Sequence, residues 1–141
     1  MRLWHQDLIK LLPRQQLLGQ HRECCALRGK GWGKKHETVN YVFKYSYGSL
    51  VAYHKLIMDE MENRGYNPNK IWKDNSYRGK KLGYCDINDT DKSINKKFNL
   101  AKRSNIKIYN EHDNKYLDDC INNLKNKGID VKEMEMLLKT S

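Results

Sequence analysis

Pro13 narrows what this chain can fold into more than any other single residue. Its ring fixes φ and its nitrogen carries no proton, so it suits the first position of a helix, where a backbone N–H has no partner to lose. From there to Leu27 the sequence holds one glycine and no further proline, and the spacing predicts a helix over 13–27. At about 100° per residue, Leu17, Leu18, His21, Cys24 and Cys25 share one face. Gln15, Gly19, Arg22, Glu23 and Ala26 fall within roughly a 100° arc on the other side. That second face sets a carboxylate and a guanidinium beside two very small residues, which lets another molecule approach the backbone closely.

The rest of the chain reads as mainly helical. Leu3, Trp4, Leu8 and Leu11 recur at helix-like intervals, as a short helix or a packed arm. Residues 38–43 are ambiguous between a strand and a short buried helix. Leu50, Tyr53, Leu56, Ile57, Met58 and Met61 form a broad apolar face that Gly65 stops. Leu117, Cys120, Ile121 and Leu124 repeat the rhythm before Gly128. Asp130 and Glu133 then cap a last short helix carrying Met134, Leu137 and Leu138. Residues 66–84, with Pro68, Trp72, Tyr77, Arg78 and Gly79, read as an ordered connection. Residues 86–106, rich in Asp, Asn and Lys, read as a mobile surface loop. The expected fold is all-α: a compact single domain over 1–141, with three principal helices, short ancillary helices, long ordered loops and little β structure.

Charge narrows the partner. The net charge is +10, which points to a polyanion. Residues 1–48 hold nine Lys/Arg against three acids, and residues 49–141 hold eighteen against fourteen. The excess thus clusters around the first helix. Just after it, residues 28–36 place Arg28, Lys30, Lys34, Lys35, His36 and Trp32 among three alternating glycines, a composition suited to phosphate contact and base stacking. The glycine spacing is not that of a P-loop. No apolar run is long enough for a membrane span, and no apolar h-region follows Met1. A cytoplasmic, nucleoid-associated protein with reduced thiols is expected. Cys24 and Cys25 are adjacent, unlike paired-cysteine metal spacing, and His5, His21, His36, His54 and His112 form no ligand motif. No metal or organic cofactor is expected.

The segment Gln15-Gln16-Leu17-Leu18-Gly19-Gln20-His21-Arg22-Glu23 resembles the catalytic helix of the phage endonuclease V-like pyrimidine-dimer DNA glycosylase/abasic lyase family. Further matches follow in order: Lys34-Lys35-His36, Arg64-Gly65-Tyr66-Asn67 and Tyr77-Arg78-Gly79. The resemblance implies a metal-free enzyme acting on duplex DNA that carries a lesion, as a monomer. It implies that the chain's α-amine attacks the sugar C1′, displaces the base and forms an imine, from which β-elimination breaks the strand. Methionine is normally removed only before a small residue, so Arg2 predicts that Met1 stays and supplies the amine. An α-amine already has a pKa near 7.7–8.0, and neighbouring Arg2 and Arg22 should lower it further. By the same resemblance Glu23 is the acid beside the amine, and Arg2, Gln15 and Arg22 hold DNA near the lesion. The family helix carries another Arg where this chain has Ala26, which leaves that role to Arg28. The family's aromatic C-terminal segment has no counterpart in 134–141, so Trp32, Trp72, Tyr77 and Tyr84 are the available replacements, and the 72–84 connection, which carries Arg78, is expected to flank the site.

Two other functions compete with this one. An abasic-site lyase, or a glycosylase for another lesion, would keep Met1 and Glu23 without the dimer pocket. A non-enzymatic nucleic-acid-binding module would need only the basic loop at 28–36.

Overall fold

The computed structural model describes residues 2–34 and 39–139. Among them the backbone is helical with no strand, and one isolated antiparallel bridge joins Tyr77 to Tyr84. The elements are α1 (Arg14–Arg28), α2 (Tyr47–Asn63), α3 (Asp91–Ser104), α4 (Asn114–Asn126) and α5 (Lys132–Lys139). Short 3₁₀ helices lie at Gln6–Leu11, Asn40–Lys44 and Lys70–Lys73. The fold class is the all-α one expected. The ambiguous stretch at 38–43 contributes the second 3₁₀ helix.

Helix ends follow from local chemistry. Pro13 stands one position earlier than expected, as the cap before α1, and its carbonyl accepts from the Leu17 N–H at 3.0 Å. α1 closes through Gly31, whose N–H donates to Ala26 O at 2.9 Å. A Cβ on Gly31 would sit 2.8 Å from that same oxygen, so only glycine allows the approach. α2 ends in a Schellman motif: the Gly65 N–H donates to Glu62 O and the Tyr66 N–H to Met61 O, with Gly65 at φ +90°. Gly128 closes α4 in the same way, donating to Lys125 O while Ile129 donates to Leu124 O.

α2 is the centre. Eleven of its seventeen residues are buried, more than one apolar stripe supplies, as expected of a helix covered on several sides. It packs against α1, α3 and the Gln6–Leu11 turn, while α4 packs on α5. Leu3, Leu8, Leu17, Leu27, Tyr53, Ile57, Leu117 and Leu124 meet in one core.

Residues 86–106 depart from expectation. They are not a loop: Asp91–Ser104 is α3, capped by Thr90, whose side chain accepts from the Ser93 N–H at 3.1 Å. Its Ile94 and Ala101 are buried and Phe98 is partly so. These three recur at i, i+4 and i+7; Ile94 and Phe98 pack with Val51 and Ala52 of α2, and Ala101 joins the main core. A narrow apolar stripe suffices because α2 presents a ready surface.

Candidate active site and nucleic-acid interface

Gln20 organises the site. It is 1% exposed, and its Oε1 accepts from the Trp4 N–H at 2.7 Å. That backbone donor fixes which end of the amide is which. The Gln20 NH₂ therefore faces outward, donating to the Arg2 carbonyl at 2.9 Å and to Glu23 Oε2 at 3.1 Å. The Tyr53 hydroxyl closes the network, 2.6 Å from Trp4 O and 2.9 Å from Gln20 Oε1. One buried amide on α1 thus ties the first residues of the chain to the carboxylate.

Glu23 is half-buried, and burial pushes its pKa above the ordinary carboxylate value; the Arg2 backbone N–H and the charges of Lys127 and Arg22 work the other way. It lines a cavity of about 490 Å³ together with Trp4, Gln15, Gly19 and Lys127. Gln15 and Glu23 are thus brought together. Arg22 is exposed at the edge, its Nη2 3.9 Å from where a Cβ on Gly19 would lie. Arg2 departs from the expected placement: its guanidinium turns to Cys120 Sγ, 3.8 Å away, and to the Tyr116 ring. Met1 lies outside the described residues. Lys127 is a lining residue that sequence reasoning missed; it sits at the end of α4, and its ammonium lies 5.4 Å from the Trp4 ring centroid. Nothing local to Lys127 marks it, since long-range packing brings it to the site.

A second cavity, of about 510 Å³, adjoins α1 further along. Cys25, Ala26, Trp72 and Leu82 give it an apolar floor. Lys30, Lys34, Arg78, Lys80 and Lys81 give it five cations, and among the described residues no carboxylate lines it. This arrangement suits a phosphate backbone. A further cavity, of about 600 Å³, shares no residue with either, and Asp7, Asp59 and Glu60 line it together with Lys10, Lys102 and Lys107, so its charges balance.

Three expected contacts are corrected. Arg28 does not face DNA. It is fully buried, donating to Trp72 O at 2.8 Å, Asp74 O at 2.9 Å and Tyr77 O at 3.0 Å, with the Trp72 ring 5.1 Å away. It pins the 72–77 connection onto α1, because a buried guanidinium must find an acceptor for each donor. Trp32 is not a free stacking platform either, being edge-packed on Phe43 and Tyr47 at 5.1 and 5.2 Å. Tyr77 is only 7% exposed. Trp72 is half-buried and reaches the basic cleft, as does Arg78, whose Nε donates to Arg28 O at 2.7 Å. Lys35 and His36 lie outside the described residues.

His21, Cys25 and His54 bring their ligand atoms within 4.8 Å of one another, yet the donor set does not suit a cation. Arg28 Nη1 lies 3.1 Å from His54 Nδ1 and can only donate, so the His54 proton sits on Nε2. That proton points to His21 Nδ1 at 2.9 Å. A metal on His54 Nε2 would force the proton onto Nδ1, against a buried arginine. Burial also pushes the Cys25 thiol up to about 12. The cluster is a hydrogen-bond chain from Arg28 to His21.

A family model described as pyrimidine dimer DNA glycosylase matches residues 1–74 of the chain. No curated protein and no solved structure matches it.

Proposed function

We propose that this chain, which belongs to the pyrimidine dimer DNA glycosylase family, excises dimers from duplex DNA and then cuts the strand by β-elimination through a Schiff base on the Met1 α-amine. The amine attacks C1′, the C1′–N glycosidic bond breaks and the base leaves with the bonding pair. Loss of the amine proton and opening of the sugar give the imine. The imine acidifies C2′, whose proton is removed as the C3′–O bond to the 3′ phosphate breaks.

The observation that carries this reading is the Gln20 amide, which holds the Arg2 carbonyl at 2.9 Å and Glu23 Oε2 at 3.1 Å. Arg2, the first described residue, and the Glu23 carboxylate are therefore held by one and the same amide. Glu23 lies beside the start of the described chain and burial raises its pKa, which suits a group that exchanges protons and stabilises a cationic sugar. Gln15 and Arg22 flank it. Lys30, Lys34 and Arg78 extend the DNA path across the basic cleft, and Trp72 offers an aromatic edge within it; Lys35 and His36, which follow Lys34 in the sequence, are proposed to add to that path. No step requires a metal or cofactor.

Nicking of ultraviolet-irradiated and of abasic plasmid tests the reading. Both substrates should be cut, and a Gly-Ser extension before Met1 should abolish both activities because it moves the nucleophile. Abasic cleavage without dimer cleavage would leave only the lyase half. Cleavage unaffected by the extension would refute the amine.

A further inference from the structure

We propose that the turn at residues 79–84 is a wedge that enters the duplex, with Leu82 inserted at a base step beside the lesion and Lys80 and Lys81 on the flanking phosphates. The proposal rests on the DNA-binding reading above and specifies how the duplex is opened. The turn lies outside the residues that match the family.

Its backbone is closed on itself. The Gly83 N–H donates to Gly79 O at 2.7 Å and the Arg78 N–H to Gly83 O at 2.9 Å, above the Tyr77–Tyr84 bridge. Gly79 and Gly83 take φ of +99° and +63°, which glycine adopts at no cost. In this turn, on the rim of the cleft, Leu82 is 42% exposed and Tyr84 63% exposed. A lone exposed leucine is ordinary; Leu82 differs in lining a cleft that also holds Trp72 and five cations.

The partner must be apolar where Leu82 points and anionic around it. Lys80, Lys81 and Arg78 share the cleft lining with Leu82, and among the described residues no carboxylate does, so the surface favours an anionic partner. A stacked duplex offers both features, an apolar slot between base pairs framed by phosphates, and inserted apolar side chains kink DNA in this way. The wedge is also braced from behind. Tyr84 packs on Tyr77 at 5.2 Å, Tyr77 on Trp72 at 4.8 Å, and the buried Arg28 guanidinium lies 5.1 Å from the Trp72 ring. Force on the tip therefore passes to the core. Tyr84 is placed to stack on the base that the wedge displaces.

The test uses a duplex with one thymine dimer and 2-aminopurine beside it, whose fluorescence rises on unstacking. Wild-type protein should give that rise on binding, and Leu82→Ala should lose most of it. Leu82→Ala should also slow dimer nicking by about tenfold more than it slows nicking of single-stranded abasic DNA, which has no stack to open. Leu82→Met should restore both, while Met136→Ala, which removes an exposed apolar residue elsewhere, should change neither. A full fluorescence rise with Leu82→Ala, or equal losses on the two substrates, would overturn the wedge. If wild-type protein cut neither substrate, the enzymatic reading would fall, and the fluorescence arm would still decide the wedge.

Discussion

Glu23 concentrates the cost and the use of the site in one side chain. Folding raises its pKa, so the native state binds the proton more tightly than the unfolded chain does. Stability then falls as pH climbs from the ordinary value of 4.5 through the raised one. Glu23→Gln should therefore raise the melting temperature at pH 7 and flatten its pH dependence in that window, while lyase turnover drops by about 10²-fold or more. Calorimetry beside a nicking assay checks both, and a destabilised variant would contradict the assignment. His112 has the opposite sign. Its Nδ1 accepts from the Gln6 N–H at 3.0 Å, and its Nε2 faces the Tyr41 hydroxyl at 2.6 Å. Burial pushes its pKa down to about 3. Its contribution is full above 6.5 and is lost as pH falls from there through about 3, because the unfolded chain takes up the proton first. His112→Asn should make urea stability about 1.4 kcal/mol per pH unit less steep across that range.

At the scale of elements, α3 is the sharpest case. Ile94 is fully buried on α2, so Ile94→Ala should cost about 2–4 kcal/mol in urea unfolding; a surface loop would lose almost nothing. Glycine stops were the most legible signals, since Gly65 and Gly128 sit where each helix turns left-handed. The three apolar residues of α3 at i, i+4 and i+7 were present too, but Lys and Asn between them hid the period. The Glu23 neighbourhood was legible because Gln15, Gly19 and Glu23 lie on one helix face. Arg28 was misread for the reverse reason. Its place on α1 puts it next to a basic loop, but the carbonyls that capture it belong to residues 72, 74 and 77. Lys127 needed the fold as well, because α4 reaches the site only through packing.

Over the whole molecule, unbalanced positive charge gathers at one cavity: five cations line the cleft beside α1, whereas the 600 Å³ cavity mixes Asp7, Asp59 and Glu60 with Lys10, Lys102 and Lys107. With about six phosphates contacted, log affinity for undamaged duplex should fall with log salt at a slope near −5. Lys30→Ala and Lys34→Ala should each reduce that slope by about one, and a slope unchanged in both would move DNA off this cleft. On the proposed reading this cleft carries DNA toward Glu23, and the Lys127 ammonium, in the Glu23 cavity, is the rival of the Met1 α-amine as nucleophile. The deciding measurement is borohydride reduction of the protein on abasic duplex, followed by digestion and mass mapping of the sugar adduct. The account predicts the adduct on the peptide that begins with Met1, formed equally by wild type and Lys127→Ala. An adduct on Lys127, or none at all with wild type, would contradict it.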